Sequence, residues 1–198
     1  MIRFLLASAL ALSGTGVANA ATYQIDPRHA QVLFTYNHQG YAHLSARLNQ
    51  MSGQVEFDPA NPGASSIQVE LPMASLSTGV PKLDTHLLSA DFFDADKYPT
   101  ASFHSTKVAV LGSDRLAVTG DLSIHGVTRP VTLAVTVNRV GEHSISKAPM
   151  AGFEATATIR RSEFGVAFML AGVADEVELR INIETSVQAT EPAPAAKG

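Results

Sequence analysis

From Leu116 to Ile183 the chain repeats one pattern, an apolar residue followed by a small or polar one, in runs the length of a strand. Leu116, Val118, Leu122 and Ile124 share one parity; Ala117, Thr119, Asp121 and Ser123 share the other. Val131, Leu133, Val135 and Val137 alternate with Thr132, Ala134, Thr136 and Asn138. Phe153, Ala155, Ala157 and Ile159 alternate with Glu154, Thr156, Thr158 and Arg160. Val177, Leu179, Ile181 and Ile183 alternate with Glu178, Arg180, Asn182 and Glu184. Successive side chains of a strand point to opposite faces, so this pattern specifies antiparallel sheet with one face in the core and the other in water.

Shorter runs precede these at 31–37 (Val32, Phe34 and Tyr36 inward), 54–57 and 67–71. The run at 100–110 is irregular: Ala101 and Phe103 share a parity that Val108 and Val110 do not, which predicts a bulge near Ser105-Thr106-Lys107. Turns are marked by Asp58-Pro59 to Pro62-Gly63, by Gly112-Ser113-Asp114 and by His125-Gly126. About eight one-sided strands bury their apolar faces either as a sandwich of two sheets or as a barrel. Small inward residues (Gly120, Ala155, Ala157) favour a barrel with room for a guest, with close packing against large partners as the competing use.

Residues 1–20 stand outside the pattern. Arg3, an apolar core at 4–12 and Ala18-Asn19-Ala20 predict a signal peptide cleaved after Ala20. The apolar run is shorter than the roughly 20 residues needed to cross a bilayer, and no later run reaches that length. The expected product is therefore an exported protein that does not span the membrane, with one domain at 22–188 and a disordered tail at 189–198. The chain has no Cys, which removes thiol chemistry, and no Asn-x-Ser/Thr acceptor, which favours a bacterial periplasm. A formal charge of −4 without a basic cluster offers nothing to nucleic acid.

Catalytic signatures are missing: no Gly-x-Ser-x-Gly elbow, no phosphate-binding Gly-x-x-x-x-Gly-Lys and no His-Glu-x-x-His. His38 and His43 flank Gly40, but the seven histidines lack the dense spacing of a zinc site, and no metal or cofactor is expected. The segment Asp84-Thr-His86-Leu-Leu-Ser-Ala-Asp91-Phe92-Phe93-Asp94 concentrates carboxylates and an imidazole. It lacks the glycine and glutamate of a calcium loop. Residues 82–90 suit a short helix, with Leu83 and Leu87 on one face and Pro81 in the first turn. Phe92 and Phe93 then press this crossover onto one end of the sheet, the aspartates act as solvated turn formers, and His86 ties the segment down. An acid/base pair of His86 and Asp84 is the alternative use of the same residues.

Four passages in order resemble the YceI-like family of exported lipid-binding proteins. They are Tyr23-Gln-Ile-Asp-Pro27 with His29; Asp84-Thr-His86-Leu87 with Asp91-Phe92-Phe93-Asp94 and Lys97-Tyr98-Pro99; Gly120-Asp121-Leu122 with Ile124-His125-Gly126-Val127-Thr128-Arg129-Pro130; and Gly152-Phe153 with Arg161-Ser162-Glu163-Phe164-Gly165 and Asp175-Glu176-Val177. One departure is Ala46-Arg47-Leu48, where the family usually shows Gly-x-Phe; it removes a ring from one pocket wall. The resemblance implies an extended, eight-stranded, lipocalin-like antiparallel barrel, often a homodimer. Such a barrel holds a long amphiphile (polyisoprenoid, quinone or fatty-acid-like) without catalysing a reaction.

Under that reading the large inward residues Phe34, Tyr36, Phe57, Phe103, Phe153 and Phe164 line the barrel. His86, Phe92, Phe93, Phe168 and Met169 border its mouth, the last two within the non-alternating apolar run 166–170. Two other functions are alternatives: a small envelope hydrolase or isomerase acting on such lipids through His86 and Asp84, and a metal-binding protein using His38, His43 and another histidine.

Overall fold

The alternating runs close on themselves. The computed structural model describes residues 21–187; the expected leader at 1–20 and tail at 189–198 lie outside them. The described strands are β1 (Ala21–His38), β2 (Ala42–Leu48), β3 (Ser52–Phe57), β4 (Ser66–Pro72), β5 (Leu76–Ser77), β6 (Thr100–Val110), β7 (Arg115–Ile124), β8 (Val127–Glu142), β9 (Pro149–Arg160) and β10 (Val173–Ser186). One helix, α1 (Pro81–Leu88), lies between β5 and β6. Every pairing is antiparallel, and the eight strands β1, β3, β4, β6, β7, β8, β9 and β10 form a ring that β10 closes by pairing with β1.

The two remaining strands lengthen that wall rather than widen it. Gln24 of β1 faces Gln54 of β3, while further along β1 Val32 faces Leu48 of β2. β2 and β3 therefore flank successive stretches of β1, and β5 and β4 stand beside them in turn.

The irregular run at 100–110 contains the expected bulge. Ser105 faces Gly120 and Lys107 faces Thr119, which leaves Thr106 without a ladder partner. The extra residue reverses parity, so Phe103 and Val108 both reach the interior. A second irregularity lies in β1, where Ile25 faces Thr185 but Ala30 faces Ile183. The excess chain carries Asp26, whose carboxylate accepts from the Arg28 backbone N–H and guanidinium and pairs with His29.

Two expectations change. β1 begins ten residues before the predicted 31–37, because a bulge between Ile25 and Ala30 interrupts the alternation inside the strand. β2 was not foreseen; its inward residues Leu44, Ala46 and Leu48 include one too small to mark an apolar face. Of the small inward residues, Gly120 leaves no room for a guest: a Cβ there would meet the Phe103 ring at 2.5 Å. Ala155 does border open space.

Two glycines show how differently backbone and packing act. Gly53, where β3 begins, has φ +142° and faces the Gln68 carbonyl so closely that a Cβ would collide with it. Gly40, at the β1–β2 turn, has φ +74° with nothing within 4 Å of such a Cβ. Gly53→Ala is expected to cost at least about 2 kcal/mol and Gly40→Ala about 1 kcal/mol, by urea denaturation. Equal losses would contradict the close approach at Gly53.

Candidate ligand chamber

Two apolar cavities run along the barrel interior. The near one, about 180 Å³ as space for the centre of a water-sized sphere, lies beneath α1 and is bordered by Phe34, Tyr36, Leu87, Phe92, Phe93 and Phe164, among others. The far one, about 100 Å³, is bordered by Phe57, Phe103, Val118, Phe153, Ala155 and Ile183, among others. Leu179 of β10 stands on the wall of both. By this measure one water needs roughly 10–15 Å³, so neither cavity is a packing defect.

The expected lining residues divide between the chambers. Phe34, Tyr36, His86, Phe92, Phe93, Phe164 and Met169 border the near chamber; Phe57, Phe103 and Phe153 border the far one. Phe168 is on neither wall. It lies outside, 40% exposed, stacked edge-on against Phe92 at 5.4 Å and His86 at 6.2 Å. Ala46 is almost completely buried opposite Phe34, so the wall lacking a ring is packed rather than hollow.

The crossover expected at 82–90 forms a lid. Helix α1 runs over 81–88 and buries Leu87, and Pro81 occupies its first turn. The chain then turns back: Phe93 N–H donates to Leu87 O at 3.0 Å and Ala95 N–H to Leu88 O at 2.9 Å. These bonds aim Phe93 edge-on at Phe34 at 6.1 Å. Asp84 accepts from both the N–H and the hydroxyl of Thr78 at 2.6 Å, fixing the helix to the preceding turn. His86 faces Asp91, not Asp84, at 3.5 Å. The two members of the alternative acid/base pair thus have different partners, and Asp84 serves as a clasp.

His38 borders the near chamber, whereas His43 Nε2 lies 3.4 Å from Asn37 Nδ2 on the exposed strand surface. Among the described residues no three His, Asp or Glu side chains converge as metal ligands would. The polar groups facing the near chamber are few: Tyr36, whose phenol is pushed up by burial, His38, His86 and Arg161.

Sequence reasoning did not assign a role to Arg161. It follows the outward Arg160 at the end of β9 and keeps the inward parity of Phe153, Ala155 and Ile159, a signal the alternation already carried; the 3-10 turn over Arg161–Phe164 then ends the strand. Its guanidinium ties the loop before β10 to the start of β10, donating to the carbonyls of Val166 and Phe168 in the loop and of Val173 and Ala174 in the strand at 2.8–2.9 Å. Next to it, Asp175 accepts from Ser162 N–H at 2.9 Å and Ser162 Oγ–H at 2.8 Å. Burial pushes the Asp175 carboxyl up, but these bonds and the charges of Arg161 and Arg160 outweigh it and hold the pKa below its ordinary value.

Comparison with known proteins gives one consistent family. A model described as a YceI-like domain matches residues 23–185. The UPF0312 protein of Azotobacter vinelandii is 40% identical over 185 residues, spanning 90% of this chain and 94% of that protein. The crystal structure of Burkholderia cenocepacia BcnA matches with a TM-score of 0.74 at 30% identity, over 81% of this chain and 98% of that one. A structure described as a polyisoprenoid binding domain from Saccharophagus degradans matches with a TM-score of 0.65, over 85% of this chain and 99% of that one. At 15% identity, that last likeness is one of fold alone.

The lowered Asp175 pKa has a definite sign. Its contribution to stability is complete above the ordinary aspartate value of 3.8 and is lost as pH falls through the lower folded value. Asp175→Asn is expected to cost about 1–2 kcal/mol at neutral pH, with the gap from the parent protein closing as pH drops below that window. Denaturation curves at several pH values check this, and a gap that stays constant would contradict it.

Proposed function

Because this chain belongs to the YceI-like family, we propose that it is a periplasmic carrier that sequesters a long-chain, isoprenoid-type amphiphile inside its barrel. The observation that carries the reading is the pair of adjacent apolar chambers, with Leu179 on the wall of both, the near one beneath an aromatic lid. The name of the Saccharophagus degradans neighbour, a polyisoprenoid binding domain, supports the ligand class. The sequence of residues 1–20 supports export.

The energetics suit such a ligand. Each methylene withdrawn from water contributes about 0.8 kcal/mol, so a long chain binds through its length and needs no dense polar site. Ordering the chain and losing its free translation offset much of that gain. Quinones and fatty-acid-like chains share the same apolar tail and belong to the same ligand class. Nothing in this reading requires a chemical step or a cofactor, and the protein acts as a binder.

Protein purified without detergent from a bacterial envelope is expected to yield a long-chain amphiphile on extraction into organic solvent, detected by mass spectrometry. Folded protein that is uniformly empty would sink the proposal. Val118→Phe places a ring in the far chamber and leaves the near one intact. It is expected to weaken binding of geranylgeraniol about tenfold or more while changing that of the shorter geraniol by less than about twofold. Equal effects on both alcohols would show that the ligand does not reach the far chamber.

A further inference from the structure

Arg161 is the one charged side chain among the described residues that is buried, at 8% exposure. A guanidinium has five N–H groups, and four are used: Nε to Ala174 O, Nη1 to Val166 O and Phe168 O, and Nη2 to Val173 O. One N–H on Nη2 is left over. Every acceptor is a neutral carbonyl, and none of the ion pairs among the described residues includes Arg161. Asp175, which favours the charged form from further away, spends both carboxylate oxygens on Ser162.

Carbonyl dipoles satisfy the guanidinium's geometry without cancelling its charge. A buried charge costs several kcal/mol unless it is paired, and arginine does not escape by losing its proton. This charge, opposed only by the more distant Asp175 and without a direct ion-pair partner, stands on the wall of the near chamber, among side chains that are mostly aliphatic and aromatic. A guest with an anionic oxygen supplies the missing acceptor and a directly contacting counter-charge together.

We propose that Arg161 receives the head of the bound amphiphile, and that this head is an anionic oxygen such as a carboxylate. The inference rests on the carrier reading above and narrows its ligand class to acidic amphiphiles. The tail then runs past Phe164 and Val177 to Leu179 and on into the far chamber. The same guanidinium holds the loop carrying Phe168 and Met169, so head recognition and lid position meet at one side chain.

The test compares geranylgeranoic acid with its methyl ester, which has the same tail and no charge. Binding is measured at neutral pH by displacement of a fluorescent lipid from the delipidated protein. The parent protein is expected to bind the acid about tenfold more tightly than the ester, the range of a charge-assisted hydrogen bond. Arg161→Gln is expected to abolish that ratio, and Arg161→Lys to retain part of it. A residue that only held the loop would weaken acid and ester together and leave the ratio unchanged, so the ratio is the deciding readout. Near-UV circular dichroism verifies that each variant is folded; should Arg161→Gln not fold, the ratio in the parent protein and in Arg161→Lys decides. Equal affinity of the parent protein for acid and ester overturns the assignment while leaving the carrier reading intact. An acid preference undiminished in a folded Arg161→Gln also overturns it. Failure of both ligands to bind overturns the carrier reading and this inference with it.

Discussion

The ladder between β1 and β10 is the interaction on which the rest of the structure depends. It joins the first described strand to the last, from Gln24 opposite Ser186 to His38 opposite Val173. Without it the sheet would have two open edges and one long apolar face with nothing to cover it. With it, the inward residues of every strand cover one another. Eight strands enclose a width that side chains only just fill, so small differences in side-chain size decide where space remains. At Gly120 the Phe103 ring takes that space, whereas Ala155 leaves it open.

Closure also explains why the polar machinery gathers at one end. A barrel wall offers strand faces that are either buried or wet, and neither suits a cluster of functional groups. The end of the barrel is where the chain leaves the ladder, and there the lid is assembled from α1, the turn carrying Phe92 and Phe93, and the loop before β10. Hydrogen bonds to backbone set the position of each part: Asp84 on Thr78, the Phe93 and Ala95 N–H groups on the last turn of α1, and Arg161 on four carbonyls. Aromatic edges then seal the parts against each other, with Phe92 between His86 and Phe168 and Phe93 against Phe34.

Much of this was legible from residues alone. Strands β7 to β10 follow the alternation, because each has one apolar parity long enough to be unambiguous. The parity reversal between Phe103 and Val108 located the bulge at Thr106. Pro81, Leu83 and Leu87 located the helix to within two residues at its end. The misses have physical causes. Small Ala46 concealed β2, and the bulge between Ile25 and Ala30 interrupted the alternation that would have marked the start of β1. Phe168, expected at the mouth, packs there against His86 and Phe92 on the outer side of the lid, a facing that an apolar run without period could not give.

The sequence by itself determined the one-sided strands, the bulge, the helical crossover and an apolar interior, because each follows from local periodicity or from the chemistry of a few adjacent residues. Only the tertiary structure decided which strand closed the barrel, how the interior divided into two chambers, and which partners Asp84, His86 and Arg161 took. Those outcomes depend on contacts between residues far apart in the chain, as where Leu179 borders both chambers. Arg161 is the clearest case. In sequence it is one of two adjacent arginines, and the β9 alternation sets Arg160 outward and Arg161 inward, but only the folding back of the loop and β10 brings four carbonyls to its guanidinium at the chamber wall.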